Sequence, residues 1–325
     1  MPQGIASHIP FPQRISVDVG RARAKHLDWP TSFGLLPDQR ARERHLQGAY
    51  AELAGRFHPA VTGADLDLGV DQMSWFFLFD DLFDGTPGRS VEHARALTTA
   101  TIAVLDRPIG AVDATDPPVV AAFADLWDRS RAGMSPAWCR RAATNWRNYI
   151  AGHVDEAANR APGTWPTFAD QLTLRQETSG TYPIIDIAER LGHYEIPDRA
   201  FAAPTLTRLR TLAAEVVVLD NEIISVEKEA AIGDRNLVLT VEQQRDLGRT
   251  AAIDVVLDMI RERSEQFLLL ESRLDQMCET LELTEAEHAA VMRYQTDAVR
   301  TVMRGAHDWQ QTSLRYGEGY LAVSQ

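Results

Sequence analysis

Apolar residues recur at intervals of three and four along most of this chain, the spacing of helices that bury one face. The pattern predicts a helix from Pro37 to Phe57 and another from Asp65 to Asp84, the second ended by Gly85-Thr86-Pro87-Gly88. Ser90 ahead of Glu92 and His93 reads as a helix start, with the helix running to about Leu105. Residues 107–118, rich in Pro, Gly and Asp, read as a loop. Helices are expected at 119–133, at 136–159 and, after Pro162-Gly163-Thr164-Trp165-Pro166, at 167–178. Gly180 and Pro183 interrupt the pattern before it resumes to about Leu191. The next helix spans Pro204 to Glu229, Gly233-Asp234 makes a loop, and long helices cover 241–271 and 284–305. Residues 1–36, with Pro2, Pro10, Pro12 and Pro30, read as an irregular arm over the body. No run keeps a strict apolar–polar alternation, so no sheet is expected. Without repeats or a long Pro/Gly/Ser-rich linker, the chain reads as one all-α domain of about ten helices, a single helical bundle.

Composition narrows the ligands. The formal net charge is −13 over 325 residues, with a pI near 5.2, which argues against nucleic acid or an anionic membrane as partner. An anionic ligand would need metal ions or a local basic cluster to reverse the field. Cys139 and Cys278 are the only cysteines, so no disulfide framework is implied and a reducing compartment fits. No signal-peptide pattern opens the chain, and no run approaches the roughly 20 apolar residues of a membrane span. A cytoplasmic protein without a membrane anchor is expected.

Two acidic stretches stand out from this background. The first is Phe76-Phe77-Leu78-Phe79-Asp80-Asp81-Leu82-Phe83-Asp84. On a helix Asp80 and Asp84 share one face, with Phe76 and Phe77 one turn deeper on it. Carboxylates at a helix mouth above an aromatic floor suit the holding of hard cations over an apolar cavity; the plain alternative is a helix ending in solvated acid. The second is Asn221-Glu222-Ile223-Ile224-Ser225-Val226-Glu227-Lys228-Glu229. Asn221, Ser225 and Glu229 fall on one stripe, and amide, hydroxyl and carboxylate oxygens form a partial shell for Mg²⁺. Basic groups answer them: Arg175, 46 residues before Asn221 and followed by Thr178-Ser179-Gly180, and Arg315-Tyr316 shortly after Trp309. Lys228 is one of only two lysines, the other being Lys25.

Together the DDLFD run, the Asn-Ser-Glu stripe with its Lys, the upstream Arg and the terminal Arg-Tyr pair resemble the bacterial class I terpene cyclases, in that family's order and spacing over residues 76 to 316. Glu222 departs from the pattern, which usually has Asp there; it lies off the stripe and is given little weight. The resemblance implies a class I terpenoid synthase-like bundle around a central apolar cavity, with residues 307–325 as a capping segment. It implies three Mg²⁺ ions, Mn²⁺ being a substitute, that clamp the diphosphate of a linear prenyl substrate. Asp80 would bridge two of them with help from Asp84, and Asn221, Ser225 and Glu229 would hold the third. Arg175, Lys228, Arg315 and Tyr316 would donate to diphosphate oxygens, a task that suits the planar Arg fork. Asp81, about 100° round the helix from Asp80, is expected to pair with Arg315 instead. Phe76, Phe77 and Trp309 would face the carbocation, each contact worth roughly 0.5–2 kcal/mol. For Phe57, Phe83 and Trp146, core packing is the commoner role. Val217 and Val218 are expected to shape the wall. Ser179 would carry the carbonyl that senses ionisation, with Thr178 as linker.

The implied reaction is Mg²⁺-dependent ionisation and cyclisation of farnesyl diphosphate to a sesquiterpene hydrocarbon or alcohol, with release of diphosphate. Geranyl or geranylgeranyl diphosphate as substrate, and chain elongation by a prenyltransferase, are the alternatives. Elongation would call for a second aspartate-rich motif where Asn221, Ser225 and Glu229 stand. A carboxylate-bridged metal bundle needs two Glu-x-x-His motifs, and only Glu285–His288 fits. Gly317-x-Gly319-x-x-Ala322 is a false dinucleotide-binding lead with no strand before it. No residue stands out as a base, and the homodimer common in this family leaves the oligomeric state open.

Overall fold

The structure, a computed structural model, describes residues 4–83, 90–159 and 166–316. Asp84, the Gly85-Thr86-Pro87-Gly88 stop, most of the 162–166 turn and the Gly317–Ala322 motif lie outside the described residues. Among the described residues there is no strand, and one contiguous apolar core runs through the helices.

The central element is the helix Pro204–Ile232. Proline occupies its first position, where a missing N–H costs nothing, and Gly233 ends it at φ +71°. Leu206, Leu212, Val216, Leu219, Ile223 and Val226 are buried on several sides of it, as befits a helix enclosed by others. It packs along Arg249–Glu271 on one flank and Arg300–Gln310 on the other. Gly63–Asp80, Pro136–Asn159, Phe168–Thr178 and Thr181–Gly192 complete the wall around the cavity.

Several sequence boundaries shift, each for a local reason. The Pro37–Phe57 segment is two helices, Gln39–Gly48 and Tyr50–Phe57, broken at Ala49, whose φ is +53°. The Tyr50 ring lies so close over Gly48 that a Cβ there would be 2.2 Å from Tyr50 Cζ, so only glycine lets the chain double back. The break frees the Gly48 carbonyl, which accepts the Trp309 indole N–H at 2.8 Å. The 241–271 segment likewise divides into Leu237–Arg245 and Arg249–Glu271, around Asp246 at φ +51°. The last helical stretch runs past residue 305: Glu285–Tyr294 continues through a π-helical turn at Gln295–Val299 into Arg300–Gln310. Residues 307–310 are therefore helix rather than cap, and the segment beyond them ends in a 3₁₀ turn at Leu314–Tyr316. The arm is not wholly irregular, because it contains the short helices Val19–Lys25 and Asp28–Ser32. Its first residues strap the C-terminal helix: Gly4 N–H donates to Gln311 Oε1 at 2.6 Å, and Ile9 and Phe11 are buried.

Candidate active site

The helices Gly63–Asp80 and Pro204–Ile232 present their polar ends to the same opening. Asp80 on one rim and Asn221, Ser225 and Glu229 on the other line a single cavity, with Arg175, Lys228, Arg315 and Tyr316 around the mouth. The cavity together with its open mouth spans about 1310 Å³.

Asp80 is the last residue of its helix, with a half-exposed side chain. Arg315 Nη2 stands 3.6 Å from its carboxylate and His153 Nε2 3.8 Å, the latter an ion-pair rather than a hydrogen-bond distance. Loss of surrounding water pushes the Asp80 carboxyl up, but His153, Arg315 and Arg175 outweigh it and hold the group below the usual carboxylate range. Asp81, in the 3₁₀ turn that follows the helix, accepts from Arg315 Nη2 at 2.8 Å, the pairing the family resemblance implies. The Arg315 guanidinium also lies over the Phe77 ring, 4.7 Å from its centroid.

The floor is aromatic in two tiers. Phe77 stacks on Tyr50 at 4.5 Å and meets Trp309 at 5.3 Å; Phe76 stacks on Trp146 at 5.0 Å and meets the Tyr149 edge at 4.8 Å. Phe57 is buried in the core, as the sequence favoured, and also lines the cavity, because Tyr50–Phe57 packs beside the C-terminal helix and delivers it there. Trp146 backs Phe76 in the core, and Phe83 is buried against His153, 4.5 Å between ring centroids. Val217 and Val218 line the wall. At the break between Phe168–Thr178 and Thr181–Gly192, Gly180 has φ +72°, and a Cβ there would be 3.1 Å from Phe76 Cε1. Both facts require glycine. Ser179 and Thr181 line the cavity beside it.

The stripe rim is internally hydrogen-bonded. Asn221 Nδ2 donates to Tyr316 Oη at 2.9 Å, its Oδ1 accepts from Arg175 Nη2 at 3.2 Å, and Ser225 Oγ donates to the Asn221 carbonyl at 2.8 Å. Asn236, buried, caps the helix Leu237–Arg245 with its Oδ1 and donates through Nδ2 to Glu229 Oε2 and to the Glu222 carbonyl, both at 2.8 Å. Burial, then the neighbouring Glu222, push the Glu229 carboxyl up to about 8 despite Arg175. Glu222 is the residue most underrated from sequence. Fully buried, it accepts Arg175 Nε at 2.8 Å and the Leu237 N–H at 2.6 Å, fixing that guanidinium from behind. Arg175 Nη1 donates to Glu156 at 3.3 Å, and these acids keep Arg175 protonated against the pull of burial.

Sequence reasoning missed His153, Glu156, Asn236 and Tyr50. Asn236 had a signal, an Asn just ahead of an apolar helix start; the others, on helices remote in sequence, had none. Glu285–His288 forms no bundle site, since His288 pairs with Asp275 at 2.8 Å on the surface.

The donor set fits hard divalent cations: a carboxylate from one helix faces amide, hydroxyl and carboxylate oxygens from another. Among the described residues no three His, Cys, Asp or Glu side chains cluster as a ready-made cage.

An all-α bundle with acidic rims above an aromatic cavity defines a terpenoid synthase. The model of terpene synthase family 2, C-terminal metal binding, matches residues 71–266, and the chain belongs to that family of divalent-metal-binding enzymes. It is similar to pentalenene synthase of Streptomyces exfoliatus, 47% identical over 97% of this chain and 94% of that protein. It is also similar to (-)-beta-caryophyllene synthase of Saccharothrix espanaensis, 40% identical over 97% of this chain and 89% of that one. The crystal structure of linalool/nerolidol synthase from Streptomyces clavuligerus with 2-fluorogeranyl diphosphate superposes with a TM-score of 0.85 at 37% identity, covering 95% of this chain and 99% of that chain. Among the described residues no helix is long and apolar enough to cross a membrane.

Proposed function

We propose that the protein ionises and cyclises farnesyl diphosphate to a sesquiterpene, releasing diphosphate, as a Mg²⁺-dependent enzyme of the cytoplasm. The observation that carries this reading is the opening of Asp80 and the Asn221/Ser225/Glu229 stripe onto one aromatic-floored cavity. Asp80 on one side and Asn221, Ser225 and Glu229 on the other, with Asp84 as a further sequence candidate outside the described residues, are the residues that would hold three Mg²⁺, or Mn²⁺ in their place. When bound, the ions act as Lewis acids that neutralise the diphosphate and make it a leaving group.

The chain's own groups do the rest. Arg175, Lys228, Arg315 and Tyr316 ring the mouth and hold the diphosphate by donated hydrogen bonds. An acidic protein needs these local cations as well as the metals to reverse its field. The prenyl chain extends below the rim, where Phe76, Phe77 and Trp309 exclude water and turn ring faces toward positive charge without being able to attack it. Ser179, at the helix break, offers its carbonyl to the developing cation. Asp80, Glu156, Glu229 and Asp234 are the carboxylates that line the cavity.

Farnesyl is the chain printed in the caryophyllene relative's name, and the linalool/nerolidol synthase complex contains a geranyl analogue; geranyl diphosphate is therefore the second reading. Gas chromatography of products from geranyl, farnesyl and geranylgeranyl diphosphates with Mg²⁺ tests both. A cyclic fifteen-carbon product made fastest from farnesyl diphosphate is expected. Elongated prenyl diphosphates, or no product at all, would reject it.

A further inference from the structure

We propose that Asn236, in the turn after the stripe helix, is a positioning residue that sets Glu229 in place for a cation and keys the following helix to the same rim. The inference rests on the reading above, in which Asn221, Ser225 and Glu229 bind Mg²⁺.

The helix Pro204–Ile232 stops at Gly233, and the Asp234 N–H donates back to the Glu229 carbonyl at 2.9 Å. The chain thereby reverses, and Asn236, fully buried, comes to rest on the stripe it has just left. Its amide can face only one way. Oδ1 accepts the Val238 N–H at 2.8 Å, an otherwise orphaned donor at the start of the helix Leu237–Arg245. The nitrogen is therefore turned to the stripe. It donates to Glu229 Oε2 and to the Glu222 carbonyl, both at 2.8 Å, with Ser225 Oγ at 3.4 Å. Helix carbonyls point toward the C-terminus while side chains lean toward the N-terminus, so groups from residues 222, 225 and 229 meet at one level of the stripe. The two amide hydrogens serve the two close acceptors and tie the end of the Glu229 side chain to the backbone of its own helix. The next residue repeats the link, because the Leu237 N–H donates to Glu222 Oε2 at 2.6 Å. A free glutamate side chain would lose its rotamer freedom when a metal binds, and Asn236 removes that freedom beforehand. An amide carries no charge, so it orients the carboxylate without supplying the positive charge that a cation brings.

The test uses the full-length protein with Asn236→Asp, Asn236→Ser and the double variant Asn236→Asp/Glu229→Gln. Three measurements are made: thermal unfolding without metal, calorimetric binding of inorganic pyrophosphate over a Mg²⁺ titration, and turnover of farnesyl diphosphate over the same titration. Asn236→Asp keeps the cap's acceptor and replaces the donating nitrogen with a second acceptor. Asn236→Ser also keeps a cap but has no second group to offer Glu229. Both should raise the Mg²⁺ concentration for half-maximal pyrophosphate binding about 10- to 100-fold, the usual cost of losing a group that orients a metal ligand. Excess Mg²⁺ should recover most of the lost turnover, because the ligand is misplaced rather than removed. Asn236→Asp should unfold at a lower temperature than wild type. The double variant exchanges amide and carboxylate, so it should regain that temperature without regaining Mg²⁺ affinity. A wild-type Mg²⁺ requirement in Asn236→Asp or Asn236→Ser would overturn the positioning role and leave Asn236 a helix cap alone. Turnover that no Mg²⁺ concentration recovers, or full Mg²⁺ affinity in the double variant, would overturn it as well. Wild-type protein that binds pyrophosphate with Mg²⁺ but converts none of the three prenyl diphosphates would overturn the assigned reaction instead. The positioning role would then be decided by the pyrophosphate titration, which involves no prenyl chain.

Discussion

The two rims of the cavity face each other with opposite electrostatic preparation. Asp80 is half exposed, with the Arg315 guanidinium and the His153 ring beside it, and its carboxyl is held below the usual carboxylate range. Glu229 stands among other acids, and burial with Glu222 beside it pushes its carboxyl up to about 8. One rim brings its counter-charge with it, and the other awaits one. The stripe rim compensates in a different currency, hydrogen bonds: Asn236 steadies Glu229, Tyr316 and Arg175 hold Asn221, and Ser225 bonds back to its own helix. A cation arriving between the rims therefore displaces ion pairs on one side and hydrogen bonds on the other.

The largest effects come from removing what joins the rims. Stripping divalent ions with a chelator is expected to abolish turnover, with recovery on adding Mg²⁺. Asn221→Ala or Ser225→Ala should lower kcat on the order of a thousandfold while the circular dichroism spectrum and unfolding midpoint stay near wild type, since several kcal/mol of metal-derived stabilisation are at stake. Near-normal product formation would take these residues out of the metal role. Next comes the asymmetry itself. Glu229→Gln and Asp80→Asn should both cost on the order of a hundredfold or more in turnover, but their metal-free stabilities should diverge. The glutamine needs no counter-charge and still accepts from Asn236, so its unfolding temperature should hold or rise. The asparagine carries no charge for the Arg315 guanidinium 3.6 Å away to face, so its temperature should fall. Equal shifts would mean that the two rims are alike.

The helical class and the residues of both acidic stretches were legible because each rim is a local pattern: a spacing of four on one helix carries its own face with it. The Asp81–Arg315 pair was expected only through the family resemblance that brought Arg315 into view; the angle between neighbouring aspartates says no more than that Asp81 points away from Asp80. What stayed hidden lies across helices. Glu222 reads as one acid among many until Arg175, 47 residues away, is brought to 2.8 Å. Glu156 and His153 occupy a helix whose sequence carries no motif, and the approach of Thr178 that lets it reach Glu156 depends on a glycine-sized gap at Gly152. The turn at Ala49 was missed because the apolar spacing runs straight through it, and only the packing of Tyr50 over Gly48 selects the break.

Arg175 binds to both preparations at once, touching the stripe through Asn221 and the acids behind it through Glu222 and Glu156. A lysine cannot span three partners with one ammonium. Arg175→Lys is expected to reduce kcat/KM about 10- to 100-fold, the value of one or two charged hydrogen bonds. Steady-state kinetics with farnesyl diphosphate checks this, and full activity would place Arg175 outside the diphosphate's reach.

The smallest rate effect should come from beneath the Asp80 rim. Phe77 is packed between Tyr50 and Trp309, with Arg315 over its ring, so its face is shared between a rim cation and the cavity. Phe77→Ala removes one cation–π surface, worth roughly 0.5–2 kcal/mol, so kcat should fall about 2- to 30-fold. The same change opens space beneath Asp80 and frees Arg315 from the ring, allowing the prenyl chain to fold in more than one way. Product diversity should therefore change more than rate. Phe76→Ala is the matched control: its ring is backed by Trp146 and Tyr149 and pressed by Gly180, with no rim cation over it. If the rim's counter-charge is what sets Phe77 apart, gas chromatography should show Arg315→Lys costing less additional rate in Phe77→Ala than in Phe76→Ala, because the guanidinium–ring contact is already gone in the first. Identical responses of the two phenylalanine variants to Arg315→Lys would separate the floor from the rim altogether.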